Sequence, residues 1–238
     1  MASFKLAFGS ALLASGLAFS GAASALTLNT TGLKANSVLT FTVAAFGSSS
    51  AAGITFRPLA NMTRLADVDV LDPETGEMVP TPSFNQPVTK ADIKIGWDLK
   101  ITPVAGDAIR SGLQIIRGQR TATLANFSVN FEQKILYGDV ILKDGTTLTK
   151  RAIYTFKDNG DLVISFKNLV LNQTQSISNL IFTQELQDVL GTELALSAPL
   201  KATLATTDWG VIAVKVTSYK RSPAVSNKPL VAADIPAP

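Results

Sequence analysis

Five carboxylates crowd one stretch of the sequence. Asp67, Asp69, Asp72, Glu74 and Glu77 lie around Pro73 and Gly76 and form a candidate Ca²⁺ site, since that ion takes about 6 to 8 hard oxygen ligands. The order departs from a calcium loop, because Leu71 stands where the third ligand belongs. The ordinary alternative is a strand edge, with Asp67 and Asp69 outward and Val68 and Val70 inward, running into a turn. A second pair of acids, Asp98 and Asp208, adjoins Trp97 and Trp209, as the paired carboxylates of a glycosidase would adjoin aromatic sugar platforms. The chain has 0 His and 0 Cys, which removes the usual triads, imidazole relays, thiolate nucleophiles and soft-metal sites. Nucleophile-elbow, P-loop and dinucleotide glycine patterns are missing as well. We therefore expect no enzyme and no cofactor.

Something must hold these residues, and the two ends of the chain say where it works. Lys5 precedes an uncharged apolar run over residues 6–19, and Ala23, Ser24 and Ala25 form a small-residue cleavage box. The run is too short to span a bilayer, so residues 1–25 read as an Ala-rich signal peptide of bacterial type. The mature chain from Leu26 has no transmembrane segment in sequence, and we expect it to be secreted, periplasmic or extracellular. Residues 222–238 hold Pro223, Pro229, Pro236 and Pro238 among small residues and read as a disordered tail. Residues 26–221 then form one domain, long enough to fold without disulfides. The formal charge is +3, one unit of it from Lys5, which gives no electrostatic footprint for nucleic acid.

Period-2 alternation dominates between the ends. Ile93, Ile95, Trp97, Leu99 and Ile101 alternate with polar residues, as do Ala125, Phe127, Val129 and Phe131, and each set reads as a half-buried strand. Residues 136–142, 148–156 and 162–166 are separated by Asp-Gly and Asn-Gly, so they read as an antiparallel meander. Leu39, Phe41, Val43 and Ala45 give an earlier strand, and Ile212, Val214 and Val216 a late one. One short helix is indicated, capped by Thr183, with Leu186, Val189 and Leu190 on one face and Gly191 at its close. The fold class is all-β: an antiparallel β-sandwich or jelly roll with one short helix, and a closed barrel as the second choice. Ile93, Ile95, Trp97, Leu99, Phe127, Val129, Phe131, Ile164 and Phe166 should form the core.

Export, β architecture and the missing catalytic groups point to a non-enzymatic secreted protein with a structural or adhesive role at the cell surface or in extracellular matrix. Its partner would be another copy of itself or a surface polysaccharide, the latter through Arg110, Arg117, Arg120 and the lysines of the meander. The self-association strand would be Leu26, Thr27, Leu28, Asn29, Thr30 and Thr31, an uncharged alternating stretch able to complete a neighbour's sheet. The alternative is a binding module for an apolar small molecule or glycan, using the sheet interior or the aromatic residues. Signal cleavage is checked by intact mass: the exported protein should begin at Leu26, and a mass that retains Met1 would rule the signal reading out.

Overall fold

The computed structural model describes residues 25–95, 101–160, 163–167 and 170–236. The predicted cleavage box therefore lies outside the described residues except for Ala25. The chain opens with β1 (Ala25–Asn29) and β2 (Leu33–Thr40). The predicted strand through Phe41, Val43 and Ala45 stops at Thr40, and α1 (Val43–Ala51) follows. Ala44 and Phe46 break the alternation there, and the Thr42 hydroxyl oxygen accepts the Ala45 N–H at 3.1 Å, a side-chain N-cap.

Next come β3 (Ile54–Ala60), β4 (Thr63–Arg64), β5 (Val68–Leu71), β6 (Met78–Thr81), β7 (Ser83–Pro87) and β8 (Lys90–Ile95). The long strands β9 (Ile101–Arg117) and β10 (Arg120–Asn130) meet in a two-residue hairpin loop containing Gly118, whose φ of 57° such turns require. The predicted single strand from Ile93 to Ile101 is instead two strands, because β8 and β9 are antiparallel and Ile95 pairs with Ile101. Ile95 is 39% exposed rather than core, and Trp97, Asp98 and Leu99 lie outside the described residues.

The meander is present as β11 (Ile135–Leu142), β12 (Thr147–Asp158) and β13 (Val163–Lys167), followed by β14 (Val170–Phe182). Ile164 and Phe166 fall where side chains are not described. Then come α2 (Gln184–Glu193), α3 (Ala198–Thr206) and β15 (Val211–Lys220). Thr183 caps α2 as expected, its hydroxyl oxygen accepting the Leu186 N–H at 3.3 Å. Gly191 lies inside α2 rather than closing it.

All the described strands but β5 and β6, which pair with each other, build one antiparallel sheet in the order β1-β8-β9-β10-β11-β12-β14-β15-β2-β7-β4, with β13 beside β14 and β3 beside β9. The order returns on itself. β2 pairs with β15 on one edge and β7 on the other, and β7 runs through Val88 and Thr89 into β8, which pairs with β9. The Val88 N–H donates to the Ala35 carbonyl (2.9 Å) and the Thr30 N–H to the Thr89 carbonyl (3.1 Å), carrying the ladder across this bend. The all-β antiparallel expectation holds. The two opposed walls that share the core, as in a sandwich, belong to one curled sheet, and among the described residues three short α-helices accompany it.

One end of the curl is packed solid. Phe41 meets Phe56, Phe84 and Trp209 with ring centroids 4.8, 5.7 and 6.3 Å apart, and Phe182 bridges Trp209 (4.4 Å) to Tyr154 (4.7 Å). Leu186 and Leu190 of α2 and Leu204 of α3 close over this cluster. Gly210, at φ 138°, lets the chain pass so close to Thr40 that a Cβ would land on the Thr40 carbonyl oxygen.

Residues 222–236 of the Pro-rich tail cross the outside of the sheet as a strap. Leu230 is 2% exposed and packs with Leu59, Ala125 and Ile141, over Gly112, which leaves room where a Cβ would strike its methyl group. A bulge in β10 turns Asn126 to φ 53°, and its amide then grips the Leu230 backbone, Nδ2 donating to the carbonyl (2.9 Å) and Oδ1 accepting the N–H (2.8 Å). Asn61 Nδ2 donates to the Ser226 carbonyl (2.7 Å), and Arg110 pairs with Asp234 (3.1 Å). Proline and small residues suggest disorder only when nothing apolar docks, and Leu230 is what docks. Leu230→Ala should cost about 2 to 4 kcal/mol in urea unfolding. A change within about 0.5 kcal/mol would mean that the tail is an ordinary solvated surface.

Candidate functional site

The other end of the curl is open. Between the walls lies an open cleft bordered by β2, β7, β8, β9, β10, β11, β14 and β15. Its deep boundary is core: Phe127, Leu136, Ile177 and Ile212 are buried and face both the packed interior and the cleft. Higher up, Ala91, Gly106, Val129, Val214 and Val216 line it. These residues are small or only half-buried, so opposite walls do not meet and the interior stays unfilled.

Register explains what points inward. Gly106 pairs with Ala91 and Val129, and Phe127 with Ala108, while on the facing wall Ile212 pairs with Leu39 and Ile177, and Val214 with Ser37 and Gln175. Lys90, Asp92, Asp107 and Ser128 occupy the opposite phase of the pleat. They meet outside, where Lys90 pairs with Asp92 at 2.9 Å and Asp107 at 4.0 Å, and the Thr27 hydroxyl donates to Asp92 at 2.6 Å. Burial pushes the Asp107 carboxyl above the usual carboxylate range. Burial acts the same way on Asp92, but hydrogen bonds from Thr27 and Lys90 outweigh it and hold that carboxyl low. Asp92 and Asp107 also border the cleft, and by this alternation their carboxylates are directed to Lys90 and Thr27 on the outer side.

Three polar side chains of the inward phase border the cleft. Ser37 donates to the Gln86 carbonyl at 3.2 Å and is satisfied. Gln86 and Gln175 face the same space, both buried, and Gln175 Nε2 has no hydrogen-bond partner among the described residues. A buried amide without a partner costs about 1 to 3 kcal/mol. Sequence reasoning missed Gln175 because it stands in a polar run, Asn172-Gln173-Thr174-Gln175-Ser176, that hides the alternation.

The candidate residues named from sequence do not gather here. Asp69 lies on β5, which pairs with β6 in a separate hairpin that leaves Leu71 and Met78 exposed and Val70 half-buried. Val68, expected inward, is 44% exposed. Asp67 pairs with Arg64 (2.7 Å), while Asp72 accepts the Glu74 N–H (3.0 Å) and the Thr75 hydroxyl (3.0 Å), and Glu74 and Glu77 are exposed. Among the described residues, no group of three metal-capable side chains converges. The Asp208 carboxylate accepts the N–H groups of Leu180 (3.0 Å) and Gly210 (2.9 Å) and so fixes a turn, and its proposed companion Asp98 lies outside the described residues. Trp209 and Tyr154 are buried in the aromatic cluster, whereas Tyr137 lies on the outer face, donating to Gln133 (2.9 Å), and Tyr219 is exposed. Leu26, Thr27, Leu28 and Asn29 pair antiparallel with β8 of the same chain, the Thr30 hydroxyl donates to the Val88 carbonyl (2.8 Å), and Thr31 closes the turn to β2.

No family model matches the chain, and no curated protein matches it. Among solved structures, it is similar to the C-terminal domain of HtaA from Corynebacterium glutamicum, at 14% identity and a TM-score of 0.38, over 78% of this chain and 98% of that one. A domain-swapped dimer of a histidine-to-alanine variant of the same domain is similar at 12% identity and a TM-score of 0.32, over 73% and 87%. No helix among the described residues is long and apolar enough to cross a membrane.

With Asp67 and Asp72 already engaged, a chelator should leave the melting temperature unchanged. A Ca²⁺-dependent rise that disappears in Asp69→Ala would instead establish a site, because an ion that binds only the folded state stabilises it by mass action.

Proposed function

We propose that the protein is an exported β-domain that binds a small, mainly apolar molecule in the lumen of its curled sheet. The observation that carries this reading is the unfilled cleft itself. Cores are packed to crystal-like density, yet here inward-facing Ala91, Gly106, Val129 and Val214 leave open space in continuity with buried Phe127 and Ile177. Apolar walls with a few polar groups are the usual make-up of a small-molecule site. A glycan is the poorer occupant, because its hydroxyls would lose water without finding partners on such walls.

A structural or adhesive role at a cell surface, through self-association, is the second reading. It is supported by β1, which ends the sheet order with β8 as its strand partner, so that its outer edge offers main-chain groups to another copy.

Nile red, a neutral apolar fluorophore, should brighten on binding the mature protein, and Val129→Trp should abolish the signal by filling the lumen while preserving the fold by circular dichroism. If the wild type gives no signal and native mass spectrometry finds only assemblies of bare chains, the lumen reading fails and the self-association reading gains.

A further inference from the structure

The hairpin of β5 and β6 holds apolar side chains out in solvent, apart from the main sheet. Leu71 pairs with Met78 and Asp69 with Pro80, so these four share one face, while Val70 and Val79 turn the other way and are half-buried. Leu71 and Met78 are 57% and 59% exposed. A two-stranded ribbon is marginal in water, and apolar side chains held out on one mark a contact surface. The charge around them selects the partner. Residues 65–81 carry Asp67, Asp69, Asp72, Glu74 and Glu77 and no Lys or Arg. Pairing this face with itself would set like charges together, so its partner is basic.

A matching surface stands on the same chain. β14, β15, β2 and β7 are neighbours in the sheet, and their outer face is the phase opposite to Leu39, Ile177, Ile212 and Val214. On it Lys215 pairs with Asn36 and Thr174, and Ala213 with Val38 and Ser176. None of these four strands contains Asp or Glu, although the chain has 18 such residues. Lys34 and Lys215 are exposed, and Lys34 Nζ lies 5.9 Å from the ring centroid of Tyr219, itself exposed. Val211 and Ala213 add exposed apolar surface. This face is basic and partly apolar where the hairpin is acidic and partly apolar, and within one chain neither covers the other.

We propose that the protein associates head to tail, the Leu71 and Met78 face of one copy's hairpin docking on the outer face of β15 and β2 of the next. Leu71 and Met78 cover Val211, Ala213 and Tyr219, while Asp69, Glu74 and Glu77 approach Lys34 and Lys215. The two surfaces differ, so the contact is heterologous and builds a ring or a filament. It uses neither the lumen nor the β1 edge, and it stands or falls apart from both.

Sedimentation of the mature protein at rising concentration should show dimers and longer oligomers, weakened at least about 5-fold in affinity by about 0.5 M NaCl, which screens the facing charges. Leu71→Ser with Met78→Ser, and separately Lys34→Glu with Lys215→Glu, alter exposed side chains. Each pair should leave the circular dichroism spectrum unchanged and the protein monomeric. Mixed together, the two variants should form one-to-one pairs and nothing larger, because the first keeps a sound sheet face and the second a sound hairpin. A carbodiimide, which joins carboxylates to adjacent amines, should link residues 69–77 to Lys34 or Lys215 between differently isotope-labelled wild-type copies, a result that needs no variant to fold. Wild type that stays monomeric would overturn the inference. So would assemblies that both variants leave intact, as the β1 edge would give, monomeric variants that do not pair when mixed, or wild-type links that avoid the hairpin.

Discussion

The architecture depends on β2 being paired on both edges. A curled sheet with one free wall would be a flexible tray, and the lumen would have no second side. β2 prevents this by laddering with β15 on one edge and β7 on the other, while the chain from β7 to β8 bends and hands the pairing on to β9. The bend is held by main-chain bonds at Val88 and Thr30 and by the Thr30 hydroxyl donating to the Val88 carbonyl at 2.8 Å. These groups are buried, so the bonds have no water competing for them, and breaking them would leave unpaired polar atoms inside. The two walls are therefore set apart by hydrogen-bond geometry rather than by contact between their side chains. That separation is what allows an interior to exist without being filled.

The division between filled and unfilled follows residue size along the same strands. On β10, Leu124 is buried in the aromatic end while Val129, farther along, only borders the cleft. On β15 the side chains run from Ile212 in the core to Val214 and Val216 at the opening. α1, α2 and α3 add Ala45, Leu186, Leu190 and Leu204 at the packed end. Burial at that end supplies the stability, and the open end contributes less because each of its apolar groups still touches solvent. The strap fits this division. It crosses the outside of β10 at Asn126, one residue from Phe127, so the bulge that aims an amide outward at Leu230 also aims a ring inward at the floor of the cleft.

Strand positions were legible wherever one face meets the core and the other meets water, as along Ala125, Phe127 and Val129. The reading failed where alternation ran on through a reversal. Ile93 to Ile101 keeps its phase on paper, and nothing of the Asn-Gly kind marks the change of direction that pairs Ile95 with Ile101. α1 was hidden for a related reason: Phe41, Val43 and Ala45 mimic a strand, and the deciding signal was the Thr42 cap. The strap was hidden because a lone Leu230 among prolines carries no period, and its docking site is assembled from β3, β10 and β11, far away in sequence.

The lumen could not have been read locally at all. Val129 and Val214 are the same residue types that fill cores, and whether an apolar side chain packs or lines a space depends on how far away the opposite wall stands. That distance is set by which strands pair, a property of the whole chain. Only a polar residue in the inward phase distinguishes the two cases, because a closed core would have expelled or satisfied it. Gln175 is such a residue: Ile177, two positions on in the same phase, is buried in the core, and Gln175 itself borders the cleft. In a fully packed curl this amide would be a defect of the fold. Beside an open space a polar residue in the inward phase is tolerated, because its surroundings are not sealed on every side by apolar packing.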